Sequence, residues 1–368
     1  MDALTLLLFG LGLVALVGGA ELLVRGAAHV ARAAGVSSLV VGLTVVAFCT
    51  SAPELAVSIG SAWAGEADVA VGNVVGSNIL NVLFILGVSA LVTPLTVSAQ
   101  LVRLDVPLMI GASLLVWVMA FDRTLGRLDG AILFACIVAY TVFLVRKSRA
   151  EERAATAAAP ARAATDAPEP PRPARIALDL ALIVVGLGLL VLGANWLVDG
   201  AVAIARAVGV SEMVIGLTLV AAGTSLPEVA TSVIASLRGE RDIAVGNAVG
   251  SNLFNLLSVL GASALVAPDG LAVAPALVGF DFPVMIAVAI ACLPIFFTDH
   301  CIARWEGALF LAYYVAYTLY LLLDATEHDL LPLFSGVMLT FVLPITALTL
   351  ALLAYRAWRR DRRAAAGA

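Results

Sequence analysis

The chain contains one sequence pattern twice, and the two copies are separated by a constant offset of 174 positions. The first copy reads GLTVVAFCTSAPELAVS (42–58), and the second reads GLTLVAAGTSLPEVATS (216–232). A further motif follows each of them, AVGNVVGSNILN (70–81) and AVGNAVGSNLFN (244–255). A repeat of this length indicates that the chain builds one structural unit and then builds it again.

The composition places that unit in a lipid bilayer. Of the 368 residues, 62% are hydrophobic and 13% are charged, and the mean hydropathy is +1.06. Apolar windows of about 20 residues are long enough to cross the hydrocarbon layer as helices. Eleven such spans are predicted, at 3–24, 38–62, 68–92, 104–121, 129–146, 177–198, 212–236, 242–266, 280–298, 305–323 and 331–355.

The similarity between the copies extends to three further pairs of segments, so that each copy holds five spans. These pairs are 19–27 with 193–201, 101–110 with 277–286, and 127–141 with 304–318. Because five is odd, the second copy must lie in the opposite orientation to the first. The predicted fold is an all-α integral membrane protein with two inverted five-helix repeats (ten transmembrane helices) and one extra C-terminal transmembrane helix.

The division of the chain follows from these spans. Residues 148–175 are rich in Ala, Pro, Arg and Glu without apolar periodicity, which predicts a disordered linker. The predicted segments are the first repeat 1–147 (core 42–91), the linker 148–175, the second repeat 176–323 (core 216–265), the additional helix 331–355 and the basic tail 356–368.

The positions of the basic residues predict the orientation. With the N-terminus outside, all but three of the 21 Lys and Arg residues lie on the cytoplasmic side. The exceptions are Arg123, Arg127 and Arg206, and the acidic segment 324–329 is then external. The prediction is a multi-pass protein of a bacterial or archaeal plasma (inner) membrane, with the C-terminus and the linker in the cytoplasm.

Polar residues in the second span follow a helical spacing. Ala47, Thr50, Ser51, Glu54 and Ser58 recur at intervals of three and four residues, so they share one helix face. The seventh span repeats them as Ala221, Thr224, Ser225, Glu228 and Ser232. An ionisable residue at this depth is costly and predicts a functional site.

Prolines stand directly before both glutamates. Pro53 and Pro227 lack an N–H and clash with the carbonyl four residues back, which predicts freed carbonyls around Cys49 and Gly223. Freed carbonyls in a bilayer need protein, water or an ion as a partner. Each broken helix therefore offers a carboxylate, hydroxyls and carbonyl oxygens within one turn, which are the ligands that hard cations require.

The third and eighth spans add amides and hydroxyls on one stripe each. These are Asn73, Ser77 and Asn81 in the first copy and Asn247, Ser251 and Asn255 in the second. Gly72 with Gly76, and Gly246 with Gly250, form small-xxx-small pairs that predict close helix packing. Taken singly, a buried hydroxyl bonds its own backbone, an asparagine joins helices and a glutamate stays neutral. The repeated combination favours a cation site.

The GTSxPE and GSNxxN elements resemble the two alpha repeats of the cation/Ca²⁺ exchanger superfamily, and specifically its prokaryotic Na⁺/Ca²⁺ exchangers. The resemblance covers all ten repeated spans and implies alternating access of one central site to Na⁺ or Ca²⁺. It implies side-chain ligands and two carbonyl ligands, Ala47 and Ala221. The side-chain ligands implied are Glu54, Glu228, Thr50, Ser51, Ser77, Asn81, Thr224, Ser225, Ser251 and Asn255.

The function predicted is Na⁺/Ca²⁺ antiport, with spans 1 and 6 as the elements that slide past the site by analogy with the family. A Ca²⁺/H⁺ antiporter is the nearest alternative, since neighbouring carboxylates can bind protons. A cation channel is a weaker alternative, because the inverted repeat favours alternating access. An intramembrane enzyme is weaker still, because there is no HExxH and no Ser/His/Asp set at a plausible depth, since His29, His300 and His328 lie at span ends. No cofactor, nucleic acid or obligate protein partner is indicated besides the two ions and the bilayer.

The remaining polar and sulfur-containing residues have simpler interpretations. The four cysteines show no CxxC spacing, so they predict neither a disulfide framework nor a metal site. Asp105 and Asp281 precede Pro107 and Pro283 in matched spans, which predicts that both cap helices.

Overall fold

The computed structural model describes residues 3–158, 173–210, 212–215, 219 and 221–366, and these residues are almost entirely helical. The α-helices are α1 (Ala3–Ala34), α2 (Ser38–Val41), α3 (Ala47–Thr50), α4 (Ala52–Trp63), α5 (Ala67–Leu80), α6 (Gly87–Val92), α7 (Val106–Met119), α8 (Arg127–Ala158), α9 (Pro173–Ala207), α10 (Glu212–Ile215), α11 (Ala221–Gly223), α12 (Leu226–Leu237), α13 (Arg241–Leu253), α14 (Leu260–Val266), α15 (Phe282–Phe297), α16 (Arg304–Ala325), α17 (Leu331–Val337) and α18 (Leu343–Ala366).

Short π-helical turns interrupt several of the long helices. They lie at Gly42–Val46, Asn81–Leu86, Leu101–Asp105, Phe254–Val259, Leu277–Asp281 and Met338–Val342, and a 3₁₀ turn covers Ala120–Asp122. Two pairs of these π-helical turns occur at matching places in the two copies, Asn81–Leu86 with Phe254–Val259 and Leu101–Asp105 with Leu277–Asp281. Such turns are frequent at functional sites, and no sequence signal had indicated them.

Nine helical stretches of the described residues are long and apolar enough to cross a bilayer. A tenth is the bent pair Ser38–Thr50 and Ala52–Trp63, whose halves meet at 46°. The nine are Leu4–Ala34, Ala67–Val92, Leu101–Asp122, Arg127–Glu151, Ile176–Ala207, Arg241–Val266, Leu277–Phe297, Arg304–Ala325 and Leu331–Ala357. The predicted span 212–236 corresponds to α10–α12, within which residues 216–218 and 220 lie outside the described residues.

Two stretches form the centre of the molecule. In their most apolar windows, 78% of Ala67–Val92 and 83% of Arg241–Val266 are buried, compared with 6% for each of the last two stretches. The two motif-bearing stretches therefore lie at the core, and the C-terminal stretches lie at the periphery.

The first and sixth predicted spans are longer than expected, since α1 has 32 residues and α9 has 35. They pack antiparallel at close range: an added Cβ on Gly19 would lie 2.7 Å from the carbonyl oxygen of Gly186, and one on Gly193 would lie 2.7 Å from that of Gly12. Helices of this length exceed the roughly 30 Å hydrocarbon layer unless they tilt.

Four two-residue strands, which the all-α prediction did not include, join the copies at two points. β1 (Leu95–Thr96) pairs antiparallel with β4 (Cys301–Ile302), and β2 (Thr124–Leu125) pairs antiparallel with β3 (Leu271–Ala272). Each ladder joins a segment of the first copy to a segment of the second.

The segment predicted as a disordered linker begins within a helix. α8 continues past Ser148 to Ala158, and α9 begins at Pro173. The Ala, Glu and Arg residues that begin the segment have high helix propensity, which explains the extension. The rest of the predicted linker, 159–172, lies outside the described residues.

Candidate functional site

The two repeated motifs produce two broken helices. α3 ends at Thr50 and α4 begins at Ala52, so Ser51 forms the break, with φ −77° and ψ 5°. Ser225 takes the same position before α12, with φ −90° and ψ 5°. Each proline follows two residues later in the first turn, where its missing N–H costs nothing. The predicted breaks are confirmed, and each begins a new half-helix at the centre.

Glu54 and Glu228 lie in the first turns of these half-helices. The unpaired N–H groups at a helix N-terminus stabilise negative charge, so each carboxylate sits at a favourable end of its own helix. Both side chains are fully enclosed, with 0% of Glu54 and 1% of Glu228 exposed.

The copies exchange hydrogen bonds across the centre. The Ser225 hydroxyl donates to Oε1 of Glu54 at 2.8 Å, and the Ser51 hydroxyl donates to Oε1 of Glu228 at 3.3 Å. The second oxygen of each carboxylate, Oε2, has no hydrogen-bond partner among the described residues. The two breaks therefore face one another, and each glutamate is held by the serine of the other copy.

Hydroxyls from the neighbouring central helices complete this layer. Ser225 Oγ also lies within hydrogen-bonding distance of Ser77 Oγ, at 3.1 Å, and Thr50 Oγ1 lies 3.4 Å from Ser251 Oγ. Thr50 donates in addition to Oδ1 of Asn247 at 3.0 Å, and Thr224 donates to Oδ1 of Asn73 at 3.3 Å. Direct bonds thus connect most of the predicted side chains.

The two predicted asparagines lie in the matched π-helical turns of the central helices. Asn81 begins one π-helical turn and donates to Oδ1 of Asn252 at 3.0 Å, while its own Oδ1 has no partner among the described residues. Asn255 lies in the matching turn, is fully buried, and has no described partner for either amide atom. Neither is hydrogen-bonded to a glutamate.

The backbone carbonyls behave differently from the sequence interpretation. The carbonyl of Ala47 accepts the Ser51 N–H at 2.9 Å, so it retains a partner within the helix, and Thr50 Oγ1 lies 3.4 Å from it. Ala221 begins α11 directly after undescribed residues, and the structure specifies nothing of its side-chain surroundings.

Asn73 and Asn247 have a larger role than the sequence analysis gave them. Each amide donates to the carbonyl oxygen of the glutamate in its own copy, at 3.4 Å in both cases. Each also donates to a serine hydroxyl, Ser58 at 3.0 Å and Ser232 at 2.9 Å. These bonds hold the backbone of the helical turn that carries each glutamate. The sequence signal for this role was that both asparagines recur on the same helix stripe as the predicted ligands.

The capping interpretation of two aspartates is wrong. Asp105 and Asp281 precede α7 and α15 but make no side-chain cap bond. Their carboxylates instead accept hydrogen bonds from Tyr140 at 3.0 Å and Tyr317 at 2.8 Å. The π-helical turns that end at both aspartates continue the helix, so no free N–H remains there for a cap.

The centre combines two buried carboxylates with hydroxyl and amide oxygens, which are ligand types that hard cations prefer. Burying two carboxylates without compensation is expensive, whereas a divalent cation would neutralise them and use oxygens that protein donors leave unpartnered. Among the described residues there is no cluster of three or more His, Cys, Asp and Glu side chains.

The fold and this centre define a multi-pass membrane protein built around a buried, doubly acidic polar site. The chain belongs to the sodium/calcium exchanger family, whose model matches residues 4–146 and 178–323. Family membership makes it a transmembrane antiporter for Ca²⁺ and a second cation.

Named relatives agree with this assignment. The chain is 34% identical over 345 residues to the sodium/calcium exchanger MaX1 of Methanosarcina acetivorans, covering 86% of this chain and 98% of that protein. It is 39% identical to CaxA of Alkalimonas amylolytica, covering 77% and 86%, and 37% identical to the inner membrane protein YrbG of Escherichia coli, covering 76% and 84%. A solved structure of the sodium-calcium exchanger NCX_Mj matches with a TM-score of 0.73 and 30% identity, covering 86% of this chain and 98% of that chain.

Proposed function

We propose that the chain exchanges Na⁺ for Ca²⁺ at the site between the two broken helices, by alternating access. The observation that carries the proposal is the reciprocal pair of hydrogen bonds that joins Glu54 to Ser225 and Glu228 to Ser51. A site divided equally between two copies can open to one side when one copy moves against the other.

The proposed ligands are carboxylate, hydroxyl, amide and carbonyl oxygens from both copies. Connected hydrogen bonds support the hydroxyl ligands, and buried amide oxygens without described partners support the asparagines. The set is Glu54, Thr50, Ser51, Ser77, Asn81 and Ala47 from the first copy and Glu228, Thr224, Ser225, Ser251, Asn255 and Ala221 from the second.

The charge of the site favours one Ca²⁺ and permits competition by Na⁺. Two glutamates give a formal charge of −2, which one Ca²⁺ neutralises. Sealing an uncompensated pair of charges away from water is costly, so the protein changes access from one side to the other more readily when the site is loaded than when it is empty. This penalty for the empty state couples the two fluxes.

The proposed architecture is that of two inverted five-helix repeats with an additional C-terminal helix. Four features support it: the crossed β-ladders, the antiparallel packing of α1 on α9, the matched π-helical turns and the reciprocal glutamate–serine bonds. The repeats correspond to 1–147 and 176–323, the extra helix to 331–355 and the cytoplasmic basic tail to 356–368. With the basic residues inside, the N-terminus is external and the membrane is the plasma (inner) membrane.

Transport in proteoliposomes tests the coupling ion. We expect vesicles loaded with Na⁺ to take up ⁴⁵Ca²⁺ only while an outward Na⁺ gradient is present. Uptake driven equally well by a pH gradient without Na⁺ would replace the proposal with Ca²⁺/H⁺ antiport. Uptake that requires no counter-gradient would indicate a channel.

Removing the hydroxyl of Ser225 should weaken Ca²⁺ binding more than removing the hydroxyl of Ser51. We expect Ser225→Ala to lower the apparent Ca²⁺ affinity by about tenfold, because a hydrogen bond to a charged group contributes roughly 1.5–3 kcal/mol. Ser51→Ala should have a smaller effect, since its bond is longer, 3.3 Å compared with 2.8 Å. The Ca²⁺ dependence of uptake measures both.

Ser236→Ala provides the matched control for these variants. Ser236 is equally buried on α12, but its hydroxyl donates only to the carbonyl of Ser232 at 2.7 Å within the same helix. Its removal should leave the Ca²⁺ affinity unchanged. Equal affinities for Ser225→Ala and Ser236→Ala would contradict the assignment of Ser225 to the site.

A further inference from the structure

A large apolar cavity lies beside the last helical stretch and reaches inward to Leu83, two residues beyond Asn81. It has a volume of about 640 Å³ and is enclosed by α15, α16 and the last helical stretch, α17–α18. Its walls are almost entirely aliphatic and aromatic side chains, such as Val288, Leu309 and Leu339. The volume falls in the range of ligand-binding pockets, roughly 300–1,000 Å³.

The cavity is a long groove. Along the last stretch its lining extends from Phe334 to Leu350, which is about 24 Å at a rise of roughly 1.5 Å per residue. On the opposite wall, Tyr313 donates a hydrogen bond to Thr346 at 2.6 Å, which holds α16 and α18 in place across the groove. The groove therefore matches the dimensions of an acyl chain rather than those of a compact solute.

An apolar groove of this size needs an apolar occupant. Side chains that border an empty space lose their dispersion contacts, and water does not fill a cavity without polar partners. The last stretch is otherwise in poor contact with the protein, since 6% of its most apolar window is buried. In a bilayer, the apolar molecules available to this face are lipid chains.

The charges at the two ends of the groove differ in sign. Beyond Leu350, α18 continues with exposed Arg356, Arg359 and Arg360, the first of them about 9 Å further along the helix axis. At the other end, Asp324 lies in the last turn of α16, and Glu327 and Asp329 lie in the connection before α17. An anionic headgroup is therefore attracted to the α18 end and repelled from the other.

The basic end is held against the body of the protein. Arg360 forms an ion pair with Asp299 at 2.7 Å, which ties α18 to the turn that follows α15. Arg359 lies over the ring of Tyr355, 5.7 Å from its centroid. Trp305 is half exposed at the start of α16, and tryptophan is typical of the membrane–water interface. The arginines thus lie at headgroup level.

We propose that this groove binds one anionic phospholipid, with an acyl chain between α18 and the α15–α16 pair and its phosphate at Arg356 and Arg359. A juxtamembrane arginine cluster attracts anionic headgroups, and the adjoining groove converts that attraction into a defined site. The bound acyl chain would fill the groove and contact both of its walls, which would stabilise the packing of the last helical stretch against the rest of the protein.

Native mass spectrometry of the full-length chain in detergent tests the site, with phosphatidylglycerol and phosphatidylcholine as the two probes. We expect one phosphatidylglycerol to be retained and phosphatidylcholine to bind about thirtyfold more weakly, since each of the two arginines contributes about 1 kcal/mol. Ala347→Trp, which fills the groove, and the double variant Arg356→Gln/Arg359→Gln should each reduce retention at least fivefold. A photoactivatable acyl chain should label residues between 334 and 350.

Each variant has a matched control. Leu348 is 61% exposed on α18 and does not line the groove, so Leu348→Trp should retain the lipid like the wild type. Arg149 and Arg153 are exposed on α8, so Arg149→Gln/Arg153→Gln removes the same charge elsewhere. The proposal would be overturned if both lipids were retained equally or if the two test variants retained the lipid like the wild type. It would also be overturned by a lipid-free dimer, in which a second copy of the chain would cover the groove. If Ala347→Trp does not fold, the arginine pair and the photolabel still decide it.

Discussion

Replacement of either central glutamate by glutamine is expected to abolish Ca²⁺ uptake while leaving the fold intact. In Glu54→Gln and in Glu228→Gln the formal charge of the site changes from −2 to −1, so the site no longer neutralises the +2 charge of a bound Ca²⁺. A unit charge 4 Å away contributes about 4 kcal/mol at an effective dielectric constant near 20. The loss of uptake should therefore exceed a hundredfold at micromolar Ca²⁺.

The fold should survive because glutamine preserves the shape and the crossing hydrogen bonds. Its amide oxygen can accept the hydroxyl that Oε1 accepts now, from Ser225 or Ser51. Burial of a neutral amide is also less costly than burial of a carboxylate. We expect the thermal unfolding midpoint in detergent without Ca²⁺ to stay the same or to rise.

Glu306→Gln is the matched control for these two substitutions. Glu306 is also buried, at 2% exposure, but its Oε2 accepts the Ala303 N–H at 2.8 Å at the start of α16, away from the centre. Glutamine can make the same cap, so ⁴⁵Ca²⁺ uptake should remain close to that of the wild type. Wild-type uptake by either Glu54→Gln or Glu228→Gln would show that the ions pass elsewhere.

The centre could be predicted from the sequence because its physical constraints are local. A glutamate after a proline in an apolar helix specifies a break, a carboxylate and a half-helix N-terminus, and Ser51 and Ser225 take those breaks as expected. The existence of the spans followed from hydropathy in the same way. Repetition of the motif then indicated that two such turns are needed together.

Features that depend on packing between distant segments could not be predicted. Asp105 looked like a helix cap because Pro107 follows it, but a π-helical turn and Tyr140, 35 positions further along the chain, determine its environment. The family resemblance implied that the carbonyl of Ala47 is a ligand, yet it accepts a hydrogen bond from the Ser51 N–H. The apolar groove beside α18 leaves no sequence signal, since lipid-facing and cavity-facing leucines look alike.

The second large effect is expected where α1 crosses α9. Gly12, Gly19 and Gly26 are spaced by seven residues, about two helical turns, and so lie on one side of α1. On α9, Gly186 and Gly193 have the same spacing and face them. Between residues 12–26 of α1 and 179–193 of α9 the closest contacts are to backbone atoms, so they cannot adjust by a change of side-chain rotamer.

Gly19→Leu should therefore abolish transport, whereas Gly18→Leu should not. A Cβ on Gly19 would lie 2.7 Å from the Gly186 carbonyl oxygen and 2.8 Å from the Leu190 nitrogen, and both are backbone atoms. A Cβ on Gly18 would meet no described atom within 4 Å. Overpacking of this kind costs about 1–3 kcal/mol when side chains can move, and more against rigid backbone. Uptake of ⁴⁵Ca²⁺ and the unfolding midpoint measure the two consequences separately.

The two measurements together test whether α1 and α9 move as one body. If the helices slide past the site as a pair, forcing them apart at Gly19 uncouples them, so uptake falls more than the unfolding midpoint does. Because the contact is reciprocal, Gly186→Leu should reproduce the defect, and Gly188→Leu, whose added Cβ also meets no described atom, should not. Normal uptake by Gly19→Leu would contradict both the close contact and the paired movement. Equal loss of uptake in Gly18→Leu would move the cause to the lipid-facing side of α1.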